Sequence, residues 1–385
     1  MKRILAAAVG IALLGLLPLS AGAATLAEAG KSAVLMDVTT GTVLYEHNSH
    51  EALAPASVTK VMTMLLIMEA ADSGKIALTD TVTASEAAAA KGGSQIYLKA
   101  GETMSVSDML KSIAVSSAND CACAMAEHIC GSESAFVEAM NRRAKELGMQ
   151  DTHFVNCTGL DDDDSAKLHR TSAYDIALMS RELLKNHPDI KKYTTIWMDT
   201  VRNGAFGLSN TNKLIRFYPG ATGLKTGYTA GAGYCLSASA QKEGMELIAV
   251  VMGAKTSQAR NAACKELLDY GFANFAVVAP EPEELPQVAV RLGKQTQVPV
   301  KMEETAGMLI EKSQRSGITT EISLEDSVAA PVVRGQTLGS LSVKSGEQTL
   351  RQIPLVAAED VERLSTGDIF LAVLRRAAMA KETQE

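Results

Sequence analysis

The chain has 385 residues, with 37 basic side chains against 44 acidic and a formal charge of −7 at pH 7. That balance argues against nucleic acid as a partner. The length exceeds what one hydrophobic core usually serves, so two domains are expected.

The chain opens with the basic Met1-Lys2-Arg3 and an apolar run from Ile4 to Leu19, interrupted by Gly10, Gly15 and Pro18. Ala21-Gly22-Ala23 then offers the small-x-small pattern that a signal peptidase accepts. Residues 1–23 therefore read as a signal peptide cleaved before Ala24, since the run falls short of the roughly 20 residues a membrane span needs. Its removal leaves 35 basic against 44 acidic side chains, a charge near −9. Export permits disulfides among the six cysteines. Their simplest reading is as small buried apolar residues, with pairing left open. The six histidines and six cysteines form no array with zinc spacing, so no metal and no cofactor are expected.

Residues 32–37 and 42–46 are apolar runs around Thr39-Thr40-Gly41, a hairpin pattern. Pro55-Ala56 lead into a helix from Ser57 to about Asp72 whose interior is apolar nearly all round. Helices follow from Ser107, then one stopping at Gly131, then one from Ser134 to Leu147 with Gly148 behind it. Residues 155–170 read as a loop with the acidic run Asp161–Asp164, and Thr171-Ser172 cap a helix through Leu184. Strands are expected over 233–239 and 246–252, joined at Lys242-Glu243-Gly244, then a helix over 258–270. A hairpin, helices, then hairpin and helix describe an α/β or α+β domain whose sheet carries a helical insert. Residues 279–286 hold the proline- and glutamate-rich linker. Beyond it, strand-like runs at 288–292, 297–301, 318–324, 331–334 and 340–344 suggest a small antiparallel all-β domain over 287–362. The catalytic unit is then 24–278.

Three short elements carry chemistry. In Ser57-Val58-Thr59-Lys60 the spacing of three puts the amine above the hydroxyl on one helical face. A serine needs a base to become a nucleophile, and a lysine serves once burial favours its neutral form. Ser239-Ala240-Gln241-Lys242 has the same spacing, but it lies on an expected strand, where i and i+3 face opposite sides. The second element is Ser117-Ala118-Asn119, at the break between two helices. A hydroxyl there can relay a proton and the amide can hold a substrate backbone; helix capping is the structural alternative. The third is Lys225-Thr226-Gly227, placed ahead of the strand pair, where a fixed cation and a hydroxyl suit a substrate carboxylate and the glycine lets a substrate backbone come close.

In this order and context the three match the set described for serine penicillin-recognising enzymes. The sequence resembles the low-molecular-mass penicillin-binding proteins of the D-Ala-D-Ala carboxypeptidase family over nearly its whole mature length. The resemblance extends to the stretches 33–44, 54–60, 117–122, 222–229 and 267–272. It implies a penicillin-binding, β-lactamase-like transpeptidase fold. It also implies that Ser57 is acylated, that Lys60 is the general base, and that Ser117 and Asn119 complete the proton path. Lys225 and Thr226 would hold the terminal carboxylate, and the N–H groups of Ser57 and Tyr228 would form the oxyanion hole. Arg260, in Ser257-Gln258-Ala259-Arg260, resembles an arginine near that carboxylate pocket. Two departures stand out: Ala118 where glycine is frequent, and Tyr228 where histidine is frequent.

The implied activity is a serine D-Ala-D-Ala carboxypeptidase acting on peptidoglycan stem pentapeptides, with β-lactam antibiotics as covalent inhibitors. The expected location is outside the cytoplasm: outer membrane face, periplasm or cell wall. Alternatives on the same motifs are a β-lactamase, a D,D-endopeptidase and an inactive wall-binding relative. A class A β-lactamase would want Glu-x-x-Leu-Asn, which Glu182-Leu183-Leu184-Lys185-Asn186 approaches but breaks at Lys185. In the tail 363–385, residues 369–381 have an apolar side with Arg375, Arg376 and Lys381 available for anionic headgroups. Peripheral membrane contact is one reading, and a frayed or packed tail the other.

Overall fold

The computed structural model describes residues 26–374 apart from 163, 280–283, 304–306 and 372. The expected signal peptide, half of the expected linker and the end of the tail lie outside the described residues.

The expected hairpin forms as β1 (Ser32–Asp37) and β2 (Val43–His47). Far along the chain come β3 (Ala221–Thr229), β4 (Gly233–Lys242) and β5 (Met245–Ala254). Together they form one antiparallel sheet in the order β2-β1-β5-β4-β3. Strands β1 and β5 lack polar alternation because both sheet faces are covered. Val34, Met36, Ile248, Val250 and Met252 join the core on one side, and Ala33, Leu35, Leu247, Ala249 and Val251 the core on the other.

The insert between β2 and β3 supplies the first covering layer. It begins with a 3₁₀ turn (Ala56–Thr59) and α1 (Lys60–Asp72), so Ser57 stands in the turn rather than in the α-helix itself. As expected, α1 is buried almost all round. Then come α2 (Val106–Ser116), α3 (Asn119–Cys130), α4 (Glu133–Glu146) and α5 (Ala173–Asn186). Ser105, Ser132 and Ser172 cap α2, α4 and α5 by accepting the N–H three residues on. These caps start α2 and α4 one residue earlier than the sequence suggests. The opposite face is covered by α6 (Ser257–Asn274), which buries Ala263, Cys264, Leu267 and Leu268.

The C-terminal part is all-β with its own core of Val288, Val298, Leu338, Leu341, Val343, Ile353 and Leu355 among others. It is not purely antiparallel: Val288–Arg291 pairs in parallel with Ser327–Ala329. Residues 331–334, expected as a strand, make only an isolated bridge from Val332 to Val361. Three strands went unforeseen: Met308–Glu311, Ser327–Ala329 and Gln348–Ala357. The first of these pairs with Phe275–Val278, which runs directly out of α6 ahead of the linker.

Candidate active site

The serine turn is wedged between β3 and the loop that precedes α5. Lys60, the first residue of α1, is fully buried. Its Nζ lies 3.1 Å from Ser57 Oγ and donates to Thr158 O at 2.7 Å. Burial pushes this ammonium down to about 7, opposed by Cys157 and Asp120. Near neutral pH the amine is therefore available to take the proton of the hydroxyl beside it.

Ser117 occupies the joint between α2 and α3 with a left-handed φ of +64°. It is 3% exposed, and its Oγ is buried with no protein partner. Asn119 opens α3; its Nδ2 donates to Gly92 O at 2.7 Å while Oδ1 is also buried and unpaired. Four side-chain atoms share that condition among the described residues, and two of them are these. Native interiors rarely leave such atoms without a reason, and a substrate amide and a migrating proton would supply one.

Lys225, Thr226 and Gly227 lie inside β3, not ahead of a strand as the sequence suggested. Glycines at 223 and 227 and the polar residues between them hide its strand character, while β4 alongside pairs Lys225 with Ser237. Lys225 is 1% exposed. Burial drives it well below the ordinary lysine range, and the nearby charges of Lys60 and Arg260 push the same way. Arg260, in the first turn of α6, is 5% exposed rather than on the helix surface. Its Nη1 lies 3.4 Å from Cys235 O, and its guanidinium stands 5.9 Å from the Tyr234 ring centroid. None of the ion pairs among the described residues involves Lys60, Lys225 or Arg260. Lys225 and Arg260, two buried basic groups with no carboxylate partner among the described residues, suit an anion brought by a ligand.

Gly227 also meets a constraint that the sequence did not reveal. A Cβ there would stand 2.7 Å from Pro55 O and 3.0 Å from the N atoms of Ser57 and Val58. The serine turn itself therefore needs this glycine. Tyr228 next to it is 56% exposed and stacks on Tyr234 at 4.3 Å.

Sequence reasoning missed several neighbours. Thr211 Oγ1 accepts from Thr226 Oγ1 at 2.7 Å, and its N–H donates to Val115 O, tying the Lys-Thr-Gly strand to the end of α2. Thr158 and Gly159 touch Lys60 and Ala56. These are single loop residues with no motif, so only their approach in space reveals them. The second Ser-x-x-Lys, at Ser239, bonds Thr222 and has no part in the site. Glu182, the β-lactamase-like position, is paired with Arg143 at 2.6 Å. Arg143 also holds Glu69, nine residues or about 13 Å along α1 from Lys60. It is thus in no position to activate water at Ser57. All six cysteines are free, and all but Cys130 are buried, which fits their reading as small apolar residues.

Comparison with known proteins places the chain in a family. Residues 20–256 match the family described as D-alanyl-D-alanine carboxypeptidase, and residues 279–363 match the penicillin-binding protein 5 C-terminal domain. The D-alanyl-D-alanine carboxypeptidase DacF of Bacillus subtilis is 46% identical over 357 residues, 91% of this chain and 90% of its own. The crystal structure of penicillin binding protein 5 from Haemophilus influenzae superposes with a TM-score of 0.74 at 31% identity, covering 87% of this chain and 98% of its own. Penicillin-binding protein D2 from Listeria monocytogenes, in an ampicillin-bound form, matches at 32% identity and a TM-score of 0.58 over 63% of this chain and 98% of its own.

Proposed function

The chain belongs to the D-alanyl-D-alanine carboxypeptidase family, and from that premise we propose that Ser57 is its nucleophile, acting on the terminal D-alanine of peptidoglycan stem pentapeptides. The enzyme is a serine-type D-Ala-D-Ala carboxypeptidase that binds penicillins. The observation that carries the residue assignment is the 3.1 Å contact between Ser57 Oγ and a buried Lys60 held to about 7.

In the proposed reaction the terminal carboxylate sits against the Thr226 hydroxyl and the basic groups of Lys225 and Arg260, which have no carboxylate partner among the described residues. Asn119 holds the substrate backbone. Ser57 Oγ attacks the carbonyl between the two D-alanines while its proton passes to Lys60. The N–H groups of Ser57 and Tyr228 stabilise the oxyanion; the close approach of Gly227 to Ser57 N supports their facing one point. Ser117 carries the proton onward to the leaving amine, and D-alanine departs. Water then cleaves the acyl-enzyme, Lys60 again serving as base. β-Lactams present an amide and a carboxylate in the same arrangement and acylate Ser57.

The assignment of units follows the same reading: signal peptide 1–23, catalytic domain 24–278, linker 279–286, β domain 287–362 and tail 363–385. Export to the outer membrane face, periplasm or wall is supported by the basic start and small-x-small pattern. Among the described residues no helix is long and apolar enough to cross a membrane. In the tail, residues 366–371, 373 and 374 are helical, with Ile369, Phe370, Leu371, Val373 and Leu374 exposed. That apolar surface supports peripheral membrane contact, which fractionating cells with and without residues 367–385 tests; equal solubility of both forms would end the idea.

The central test is release of D-alanine from a diacyl-Lys-D-Ala-D-Ala tripeptide by the wild type and by Ser57→Ala. Release by the first alone is the expected outcome. Rapid penicillin destruction without D-alanine release would instead mark a β-lactamase.

A further inference from the structure

The mechanism above uses none of the six histidines, yet one of them is built into the back of the serine turn. His169 is 3% exposed, and the Phe154 ring meets it edge-on at 5.6 Å. The Val155 N–H donates to its Nδ1 at 3.3 Å, which leaves the ring proton on Nε2. Nε2 lies 2.8 Å from Thr59 Oγ1, so it donates there, and the Thr59 hydroxyl donates in turn to Ala56 O at 2.8 Å. This chain of three bonds runs from the loop before α5 to the residue just ahead of the nucleophile.

That residue is held against its preference. Ala56 has a left-handed φ of +49°, uncommon for a residue with a Cβ. Strain of this kind persists only where the surroundings over-determine it. Here the same loop presses from a second point: a Cβ on Gly159, itself at φ +80°, would lie 1.9 Å from Ala56 O and 2.7 Å from Thr59 Oγ1. Two further bonds anchor the loop to α1, from Lys60 Nζ to Thr158 O and from Thr63 Oγ1 to Cys157 O at 2.7 Å each. The imidazole thus grips the serine turn itself.

We propose that His169 is a positioning residue for acylation: its Nε2–H, through Thr59, holds the strained Ala56–Ser57 turn in register with Lys60. The inference rests on Ser57 being the nucleophile. Burial keeps the ring neutral, pushing it down to about 4, with the charges of His153, Arg170 and Lys60 adding to the effect. The donor is therefore in place throughout the neutral range.

The test measures the acylation rate constant and the prior non-covalent affinity of the full chain with a fluorescent penicillin. His169→Gln places an amide N–H near the position of Nε2, whereas His169→Asn reaches only the position of Nδ1. The Asn and Ala variants should lose about tenfold or more in acylation rate with affinity changed less than about threefold, as small misplacements of a nucleophile do. The Gln variant should recover most of the rate. Thr59→Val, near-isosteric, should reproduce the loss without emptying the core, and Thr59→Ser should not; this pair decides the matter if the His169 variants do not fold. Wild-type rates in His169→Asn and Thr59→Val would overturn the proposal. So would equal losses in the Asn and Gln variants that merely follow their melting temperatures. Ser57→Ala separates the two levels: labelling that survives it defeats the nucleophile assignment, whereas labelling abolished by it alone defeats only the role of His169.

Discussion

The two domains bury different things. Every polar or charged side chain that is buried among the described residues falls between Ser32 and Arg260, including Lys60, Lys225, Asn119 and Asp120. The C-terminal domain fills its core with Val, Leu, Ile, Met and Ala alone. Apolar side chains of similar volume would make the catalytic core at least as stable as those lysines do. The difference teaches where stability has been given up: in one domain the core only holds the fold, while in the other it also keeps reactive groups dry and fixed.

The largest effect that can test this contrast is Ser57→Ala, expected to lower kcat by up to roughly a million-fold, the scale on which nucleophile removal acts. Assaying D-alanine release beside circular dichroism should find an inactive but fully folded protein. Lys60→Met sharpens the comparison further. Acylation by penicillin should vanish while the melting temperature rises by a few degrees, because a buried amine has been exchanged for a side chain of similar volume that needs no solvation. A fall in melting temperature would mean that Lys60 stabilises the core and that the contrast is false.

Titration gives the next effect. Lys60 must be neutral to take a proton, so kcat/KM for acylation should drop about tenfold per pH unit below 7 and level off above it. The linkage has a definite sign. The folded state binds this proton only below about 7, while the unfolded chain binds it up to about 10.5, so stability from this group should climb as pH rises between those values. Buried His169 acts in a lower window: its stabilising contribution is complete above about 6.5 and is lost as pH falls toward 4. Urea titrations at pH 4.5, 6.5 and 9 check both windows. The smallest catalytic effect is expected from the other domain. Leu341→Ala should cost about 2–5 kcal/mol of β-domain stability. Tripeptide hydrolysis should nonetheless stay within about twofold, since the site residues described above all lie between Ser57 and Arg260; slower hydrolysis would show that the domains are coupled.

What could be read from the sequence divides along the same line as locality. Ser57 and Lys60 are adjacent on one turn, and Ser117 and Asn119 straddle one helix joint, so spacing alone conveys their relation. Lys225 and Thr226 were legible as residues but not as strand interior, because the flanking glycines erase the alternation that marks a strand. Arg260 was recognisable only by resemblance; its burial depends on Cys235 and Tyr234 arriving from β4. Thr211, Thr158, Gly159 and His169 had no local signature, since each matters only through a partner some distance away in the chain. In the β domain, residues 331–334 carried the expected apolar pattern, but the ladder was taken by Ser327–Ala329 in parallel pairing, which short apolar runs do not foretell.

The glycines at 159 and 227 close on the serine turn from two sides, one against Ala56 O and the other against the backbone of Ser57 and Val58. In terms of sequence drift, both positions are frozen at the smallest residue. Any amino-acid replacement of a glycine except proline adds at least a methyl, proline adds a ring, and neither site has room for a β-carbon. Selection for altered reactivity toward antibiotics has more room on exposed residues such as Tyr228 than at these two positions.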